Sequence, residues 1–312
     1  MFAVEPKVAI LLATFNGARH IEEQLQSIRN QSYKNWELIV SDDGSDDDTV
    51  NIVRRFAREV RQPVLIINGP RRGFWQNFLT LLKRDELPNS KNALFAFCDQ
   101  DDVWLQDKLA RAVEWFLQQP SSVPSLYFSR TQLIDENGVI IGLSPLFKRS
   151  ASFQNALVQS IGGGNTIILN LSARELVVRS SADIAIVSHD WWAYQIVTGV
   201  EGKAFYDPIP TLNYRQHVKN LVGANRGIKA RLLRSLAFAG GRMRKWNEIN
   251  TAALWRVRPI LSDESKKTLD LFLAARASRA PKRVFLLWKS GVYRQGYWET
   301  FGLFVGASLG LI

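Results

Sequence analysis

Hydrophobic and polar positions follow two rhythms along the first 120 residues. Lys7–Ala13 (KVAILLA) is a continuous apolar run closed by Thr14-Phe15-Asn16-Gly17, which predicts a buried strand. From Ile21 the apolar positions recur at Leu25 and Ile28, the spacing of a helix face. Trp36–Val40 predicts a second strand, closed by Ser41-Asp42-Asp43-Gly44. Asp47 or Asp48 can cap a helix carrying Ile52, Val53 and Phe56. Val64–Ile67 reads as a third strand, Phe74–Leu82 as a helix, and Ala93–Cys98 as a fourth strand ending in Asp99-Gln100-Asp101-Asp102. A helix from about Asp107 to Gln118 follows. Short buried strands alternating with helices specify βαβ units, hence an α/β fold with a mainly parallel sheet. Ligands of such sheets bind beyond the carboxyl ends of the strands. Three strand candidates end there in polar clusters, so one shared site is expected.

The pattern changes further along. Between 120 and 218 only Leu126–Ser129 and Thr166–Asn170 read as strands, and Gly162-Gly163-Gly164 implies a tight turn or close backbone approach. Beyond Asn220 the chain is basic and amphipathic, with Ile228, Leu232 and Leu236 on one face and Lys229, Arg231 and Arg234 around it. Of the 312 residues, 46% are hydrophobic and the net charge is +11, which excludes a disordered chain. The charge is uneven: residues 219–312 carry 18 Lys+Arg against 5 Asp+Glu, and residues 1–218 are nearly neutral. This predicts a catalytic domain over 1–218 and a basic helical region over 219–312 facing an anionic partner. The single cysteine, Cys98, excludes an intrachain disulfide and a cysteine-based zinc site. The first residues resemble no secretory signal, and no apolar run is long enough to span a bilayer.

The acidic clusters carry the candidate chemistry. Asp99, Asp101 and Asp102 fall within four residues, and crowded carboxylates require a cation or extensive hydrogen bonding. Hard oxygen ligands suit Mg²⁺ or Mn²⁺. Asp42, at a strand end, could accept the N3–H of a uracil or thymine base, or merely form a turn. Thr14 and Asn16 share the same rim as candidate nucleotide-binding residues. Ser188-His189-Asp190-Trp191-Trp192 offers either a proton acceptor, Asp190, beside indole faces suited to sugar rings, or a helix cap with tryptophans in the core.

Ala13-Thr14-Phe15-Asn16-Gly17, Asp42-Asp43-Gly44-Ser45-Asp46-Asp47-Asp48-Thr49, and Asp99-Gln100-Asp101-Asp102-Val103-Trp104 with Lys108 resemble, in order and spacing, the family-two glycosyltransferases. The resemblance implies a GT-A fold binding a nucleotide-diphosphate sugar. It assigns Asp42 to the base, Asp99 to the ribose, Asp101 to a divalent cation on the diphosphate, and Arg72 to the base or a phosphate. The later motifs Gly163-Gly164-Asn165-Thr166, His189-Asp190-Trp191 and Tyr214-Arg215-Gln216-His217 with Asn220 resemble bacterial rhamnosyltransferases of surface-polysaccharide assembly. That narrower resemblance implies an inverting enzyme using dTDP-L-rhamnose. Asp190 is then the base, with His189 its rival, and His217 or His189 a further metal ligand. The implied acceptor is a lipid-linked glycan, and the implied location is the cytoplasmic face of the inner membrane. A UDP-hexose enzyme of the same fold is the alternative. A nucleic-acid binder is disfavoured, because no reading motif accompanies the basic tail.

Basic residues also adjoin apolar runs near the end: Lys282-Arg283 before Val284–Trp288, and Tyr297-Trp298 before Phe301–Val305. Such helices are suited either to an anionic membrane surface or to packing on the catalytic domain.

Overall fold

A computed structural model describes residues 5–216 and 241–312. The first half follows the expected alternation: β1 Val8–Thr14, α1 Ile21–Arg29, β2 Trp36–Asp42, α2 Thr49–Glu59, β3 Val64–Asn68, α3 Phe74–Leu82, β4 Leu94–Cys98. Two-residue β5 (Val103–Trp104) and α4 (Lys108–Leu117) come next. Then follow β6 Ser125–Ile134, β7 Ile140–Leu143, α5 Phe153–Ala156, β8 Ile168–Asn170, α6 Leu171–Ser180, α7 His189–Gly199 and β9 Lys203–Arg215. Past residue 241 lie α8 Arg242–Arg256, α9 Asp263–Ala277, α10 Lys282–Lys289 and α11 Tyr297–Ser308.

The strands form one sheet in the order β3-β2-β1-β4-β8-β6-β9-β5, with β7 paired to β6. β3, β2, β1 and β4 are parallel, as is the long β6–β9 pair, while β8 joins the two halves antiparallel. This is the mixed, mainly parallel α/β sheet that the alternation predicts.

Burial explains the unbroken apolar runs. Along β1, Val8, Ile10 and Leu12 face a core shared with α1, α2 and α4, whereas Ala9 and Leu11 face the core of α3, α5, α6 and α7. A strand covered on both faces shows no alternation. Each fully buried aliphatic side chain contributes about 1.5–3 kcal/mol of transfer free energy. Truncating Leu11 (0% exposed) to Ala therefore costs about 2–5 kcal/mol.

The C-terminal helices complete the second core. Leu254, Leu269, Phe272, Leu287 and Leu303 belong to the same cluster as Leu11 and Phe97. The joint is tight: Ser262 N–H donates to Gly199 O at 2.9 Å. The boundary expected at 218, the helix face of Ile228, Leu232 and Leu236 with its basic residues, and His217 all lie outside the described residues.

Candidate active site

The carboxyl end of the sheet is stitched by side chains that bond to the backbone of neighbouring loops. Asn16 sits at φ 49°, a conformation asparagine tolerates better than most residues. Its Oδ1 accepts from Asp46 N–H, and its own N–H donates to Ser45 Oγ, both at 2.9 Å. Gln100 accepts from Phe15 N–H at 2.9 Å and donates to Phe15 O at 3.0 Å, tying the β4 loop to the β1 loop. A Cβ on Gly17 would lie 2.3 Å from Gln100 Oε1, so a side chain there would displace the Gln100 amide from Phe15.

Asp42 is buried, and its carboxylate takes four donors. Oδ1 accepts from the N–H groups of Gly44 (3.1 Å) and Ser45 (2.8 Å). Oδ2 accepts from Thr14 Oγ1 (2.8 Å) and Ser45 Oγ (2.6 Å). Asp43 accepts from the N–H groups of Arg71 (2.6 Å) and Gly73 (3.0 Å). It thereby fixes the loop on which Arg72 stands exposed. Thr14, Asn16, Asp42 and Arg72 are thus brought to one end of the sheet.

The β4 loop is built differently. Asp102 is fully buried, accepts from the Asn165 side chain and from Arg215 N–H at 3.3 Å, and is pushed up to about 7 by burial and by the charge of Asp101. Lys108, also fully buried, donates to Asn165 O at 3.0 Å and lies 4.8 Å from the Trp104 ring centroid. Burial lowers its ammonium to about 8. Asp99 is held well above the ordinary carboxylate range by burial, then by the charges of Asp102, Asp101 and Asp190. The charge of Asp190, nearly a hundred residues away in sequence, is thus felt at Asp99. Tyr214 is raised by burial and by the same four aspartates.

Arg215 closes this region. It is 2% exposed, and its guanidinium donates to the carbonyls of Asp101 and Glu136, both at 3.0 Å, and to the Glu23 carboxylate. His20, preceding α1, is lowered by burial and by Arg215 and Arg19, against the opposing charge of Asp101. Lys108, Asn165 and Arg215 were visible in the sequence only as parts of motifs. Their structural roles depend on contacts made across the chain. His20, one of three histidines in the chain, carried no other signal in the sequence.

α7 corrects two readings of the His189-Asp190-Trp191-Trp192 segment. Ser188, not Asp190, is its N-cap residue, and Asp190 lies in the first turn. The tryptophans offer no face to a sugar: Trp191 is 4% and Trp192 0% exposed, with their indole N–H groups donating to Ala156 O and Ser180 Oγ. His189 is buried, stacked on Phe78 at 4.3 Å and edge-on to Phe97 at 4.7 Å. Neither of its ring nitrogens has a hydrogen-bond partner among the described residues. Burial lowers it to about 4 despite the neighbouring Asp190. The glycine triplet makes its expected close approach: a Cβ on Gly164 would lie 2.6 Å from His189 Nε2 and 3.8 Å from Asp190 Cβ.

Among the described residues, no three His, Cys, Asp or Glu side chains form a metal-binding group. The Asp99–Asp102 loop instead gathers oxygen donors whose mutual repulsion raises Asp99 and Asp102. That donor chemistry fits a hard divalent cation held by one or two carboxylates, with its other positions left to water and substrate phosphates.

Residues 9–156 match the family described as glycosyl transferase family 2. The dTDP-rhamnosyl transferase RfbG of Shigella flexneri is 30% identical over 236 residues, 72% of this chain and 77% of that protein. The UDP-Glc:alpha-D-GlcNAc-diphosphoundecaprenol beta-1,3-glucosyltransferase WfgD of Escherichia coli is 28% identical over 43% of this chain and 49% of its own length. Among solved structures, the mannosyltransferase PcManGT from Pyrobaculum calidifontis, in complex with GDP-Man and Mn²⁺, superposes with a TM-score of 0.52 at 20% identity. That match covers 98% of this chain and 87% of the other.

Proposed function

The chain belongs to glycosyltransferase family 2, and on that premise we propose that it transfers L-rhamnose from dTDP-L-rhamnose to a hydroxyl of a lipid-linked glycan. The transfer inverts the anomeric carbon and serves cell-surface polysaccharide assembly at the cytoplasmic face of the inner membrane. The observation that carries the reading is the convergence of Asp190 on the Asp99–Asp102 loop, since Asp190 is among the charges that raise Asp99. The rhamnosyl donor is favoured by the 30% identity to a protein named a dTDP-rhamnosyl transferase.

In this mechanism the nucleotide lies over the stitched rim. Thr14 and Asn16 shape its floor through their loop bonds. Asp42 stands at the base end, where an N3–H would share a carboxylate already engaged by four protein donors. Asp99 approaches the ribose, and exposed Arg72 reaches the base or a phosphate. Asp101 would hold the Mg²⁺ or Mn²⁺, with His217 the candidate further ligand. A divalent cation, when bound, stabilises negative charge developing on the leaving diphosphate. Asp190 takes the proton of the acceptor hydroxyl as its oxygen attacks C1 from the face opposite the diphosphate. The new C1–O bond forms as the old one breaks, and the bonding pair departs with the phosphate oxygen. His189, neutral and packed among aromatic rings, positions the first turn of α7.

The test is a donor screen with purified protein: dTDP-rhamnose, UDP-glucose, UDP-galactose and UDP-GlcNAc, each with and without Mn²⁺. Turnover of dTDP-rhamnose that requires the ion is expected. Turnover of a UDP-hexose alone would replace the donor assignment with the UDP-hexose alternative that WfgD represents.

A further inference from the structure

Two adjoining helices at the C-terminal end of the described chain present large apolar side chains to solvent. On α10, Phe285 and Trp288 are 57% and 68% exposed, three residues apart. On α11, Trp298, Phe301 and Val305, continued by Leu309 just past its end, follow at helical spacing as one stripe, with Tyr297 beside it; Trp298 is 84% exposed. The opposite faces are spent on the core, where Leu287, Leu303 and Ala307 are essentially fully buried. Arg283 donates to Ala307 O at 3.1 Å and fastens one helix to the other. Soluble surfaces rarely gather this many large rings without a partner.

We propose that this face docks on the surface of an anionic phospholipid bilayer. The charge pattern selects that occupant. Residues 279–312 contain five Lys+Arg and one carboxylate, Glu299. Glu299 lies 3.4 Å from Arg294, whereas Arg279, Lys282 and Lys289 are exposed. A second copy of the chain would bring like charges together. Tryptophan and tyrosine combine an apolar body with a polar tip, which suits the headgroup region, while phenylalanine, valine and leucine enter the acyl boundary. Lys and Arg beside them meet the anionic headgroups. The helices lie on the membrane and do not cross it: α11 has twelve residues and one face packed on the protein. No described helix is long and apolar enough to span a membrane.

The same face is connected to the acceptor side of the active site. Arg294 donates to Val158 O at 2.8 Å, and Gln295 N–H donates to Gln159 Oε1 at 2.8 Å. From Gln159 the chain runs directly to Gly164, which abuts His189 and Asp190. Docking would hold Asp190 near a hydroxyl presented by a glycan on a lipid. This placement rests on the lipid-linked acceptor reading, but its test uses neither donor nor acceptor, so the two can fail separately.

The experiment is co-sedimentation of the full chain with vesicles of phosphatidylcholine, with and without phosphatidylglycerol. The wild type is expected to bind the anionic vesicles and to be released by high salt. Combined Trp288→Ser, Trp298→Ser and Phe301→Ser should weaken partitioning about a hundredfold. Lys282→Gln and Lys289→Gln should each cost about fivefold. Thermal melting shows whether these variants remain folded, and their basal turnover of nucleotide sugar should be unchanged. Equal binding to neutral vesicles, binding that survives the triple substitution, or no binding to either vesicle would overturn the proposal. So would a self-association that the triple substitution abolishes without any vesicle binding.

Discussion

Two strand-end loops, both rich in aspartate, face the same rim and are built in opposite ways. In the β2 loop, Asp42 and Asp43 take six protein donors between them, mostly backbone N–H groups. Their charge is used to fold the loop. In the β4 loop, burial and mutual repulsion push Asp99 and Asp102 up, and the compensating cation, Lys108, is itself buried and lowered. A carboxylate that accepts several N–H bonds is part of a framework, whereas crowded buried carboxylates store repulsion that a ligand can relieve. In the proposed function, the difference separates a preformed cradle from a site that would gain stability when positive charge arrives.

The largest effect should come from the β4 loop. Asp101→Ala should reduce transfer to background, and excess EDTA should do the same to the wild type, while Asp107→Ala should leave turnover nearly intact. Asp107 precedes α4, and its exposed carboxylate lies 3.9 Å from a nitrogen of half-buried Arg111, an i,i+4 pair of small energetic weight. Full activity in Asp101→Ala, or in EDTA, would remove the distinction drawn between the two loops. Next is Asp190→Asn, nearly isosteric but unable to take the proton. Turnover should fall by ~10²–10⁴ with donor KM little changed. Wild-type turnover in Asp190→Asn, with loss in His189→Ala, would move the base to His189.

The same contrast explains what was legible in the sequence. The β1 to β4 framework reads closely because its strands are buried on both faces and its helices carry clean apolar periods; α3 is Phe74–Leu82 in both readings. β9 was missed because KAFYDPIPTLNYR interrupts any alternation with two prolines. The structure accommodates them where its register against β6 shifts, near Ser129 and Arg130. The acidic clusters were legible as types and spacings. Their internal wiring was not, because the Lys108–Asn165 and Arg215–Asp101 contacts join residues 57 and 114 positions apart. Of the two readings open for Trp191 and Trp192, the structure takes the one that places them in the core, which no local mark in the sequence could decide.

Breaking the cradle should have a different signature from breaking the site. Asp43→Ala removes both N–H acceptors that fix the 71–73 loop. Hydrogen bonds to charged groups contribute about 1.5–3 kcal/mol each, and less where the loop is exposed, as here. The expected outcome is a lower melting temperature and a donor KM raised about tenfold or less, with kcat largely retained. A kcat loss as deep as that of Asp101→Ala would mean that the β2 loop takes part in the chemistry and is more than a cradle.

The smallest effect at neutral pH concerns His189, which adjoins the site but is packed like a core residue. Its two ring nitrogens are buried without hydrogen-bond partners among the described residues, and burial lowers it from 6.5 to about 4. Between those values the unfolded chain binds the proton and the folded chain does not, so stability falls as pH drops from about 6.5 toward 4. The full difference corresponds to about 3 kcal/mol at pH 4 and to nothing at pH 7. His189→Phe removes the titrating group and keeps a ring against Phe78 and Phe97. Melting temperatures of wild type and variant should therefore differ by a constant offset above pH 7, and the wild type's should fall relative to the variant's as pH drops toward 4. Parallel curves across the whole range would show that His189 titrates at the same pH in the folded and the unfolded chain. It would then be reachable by solvent, and its exclusion as proton acceptor in favour of Asp190 would lose its physical basis.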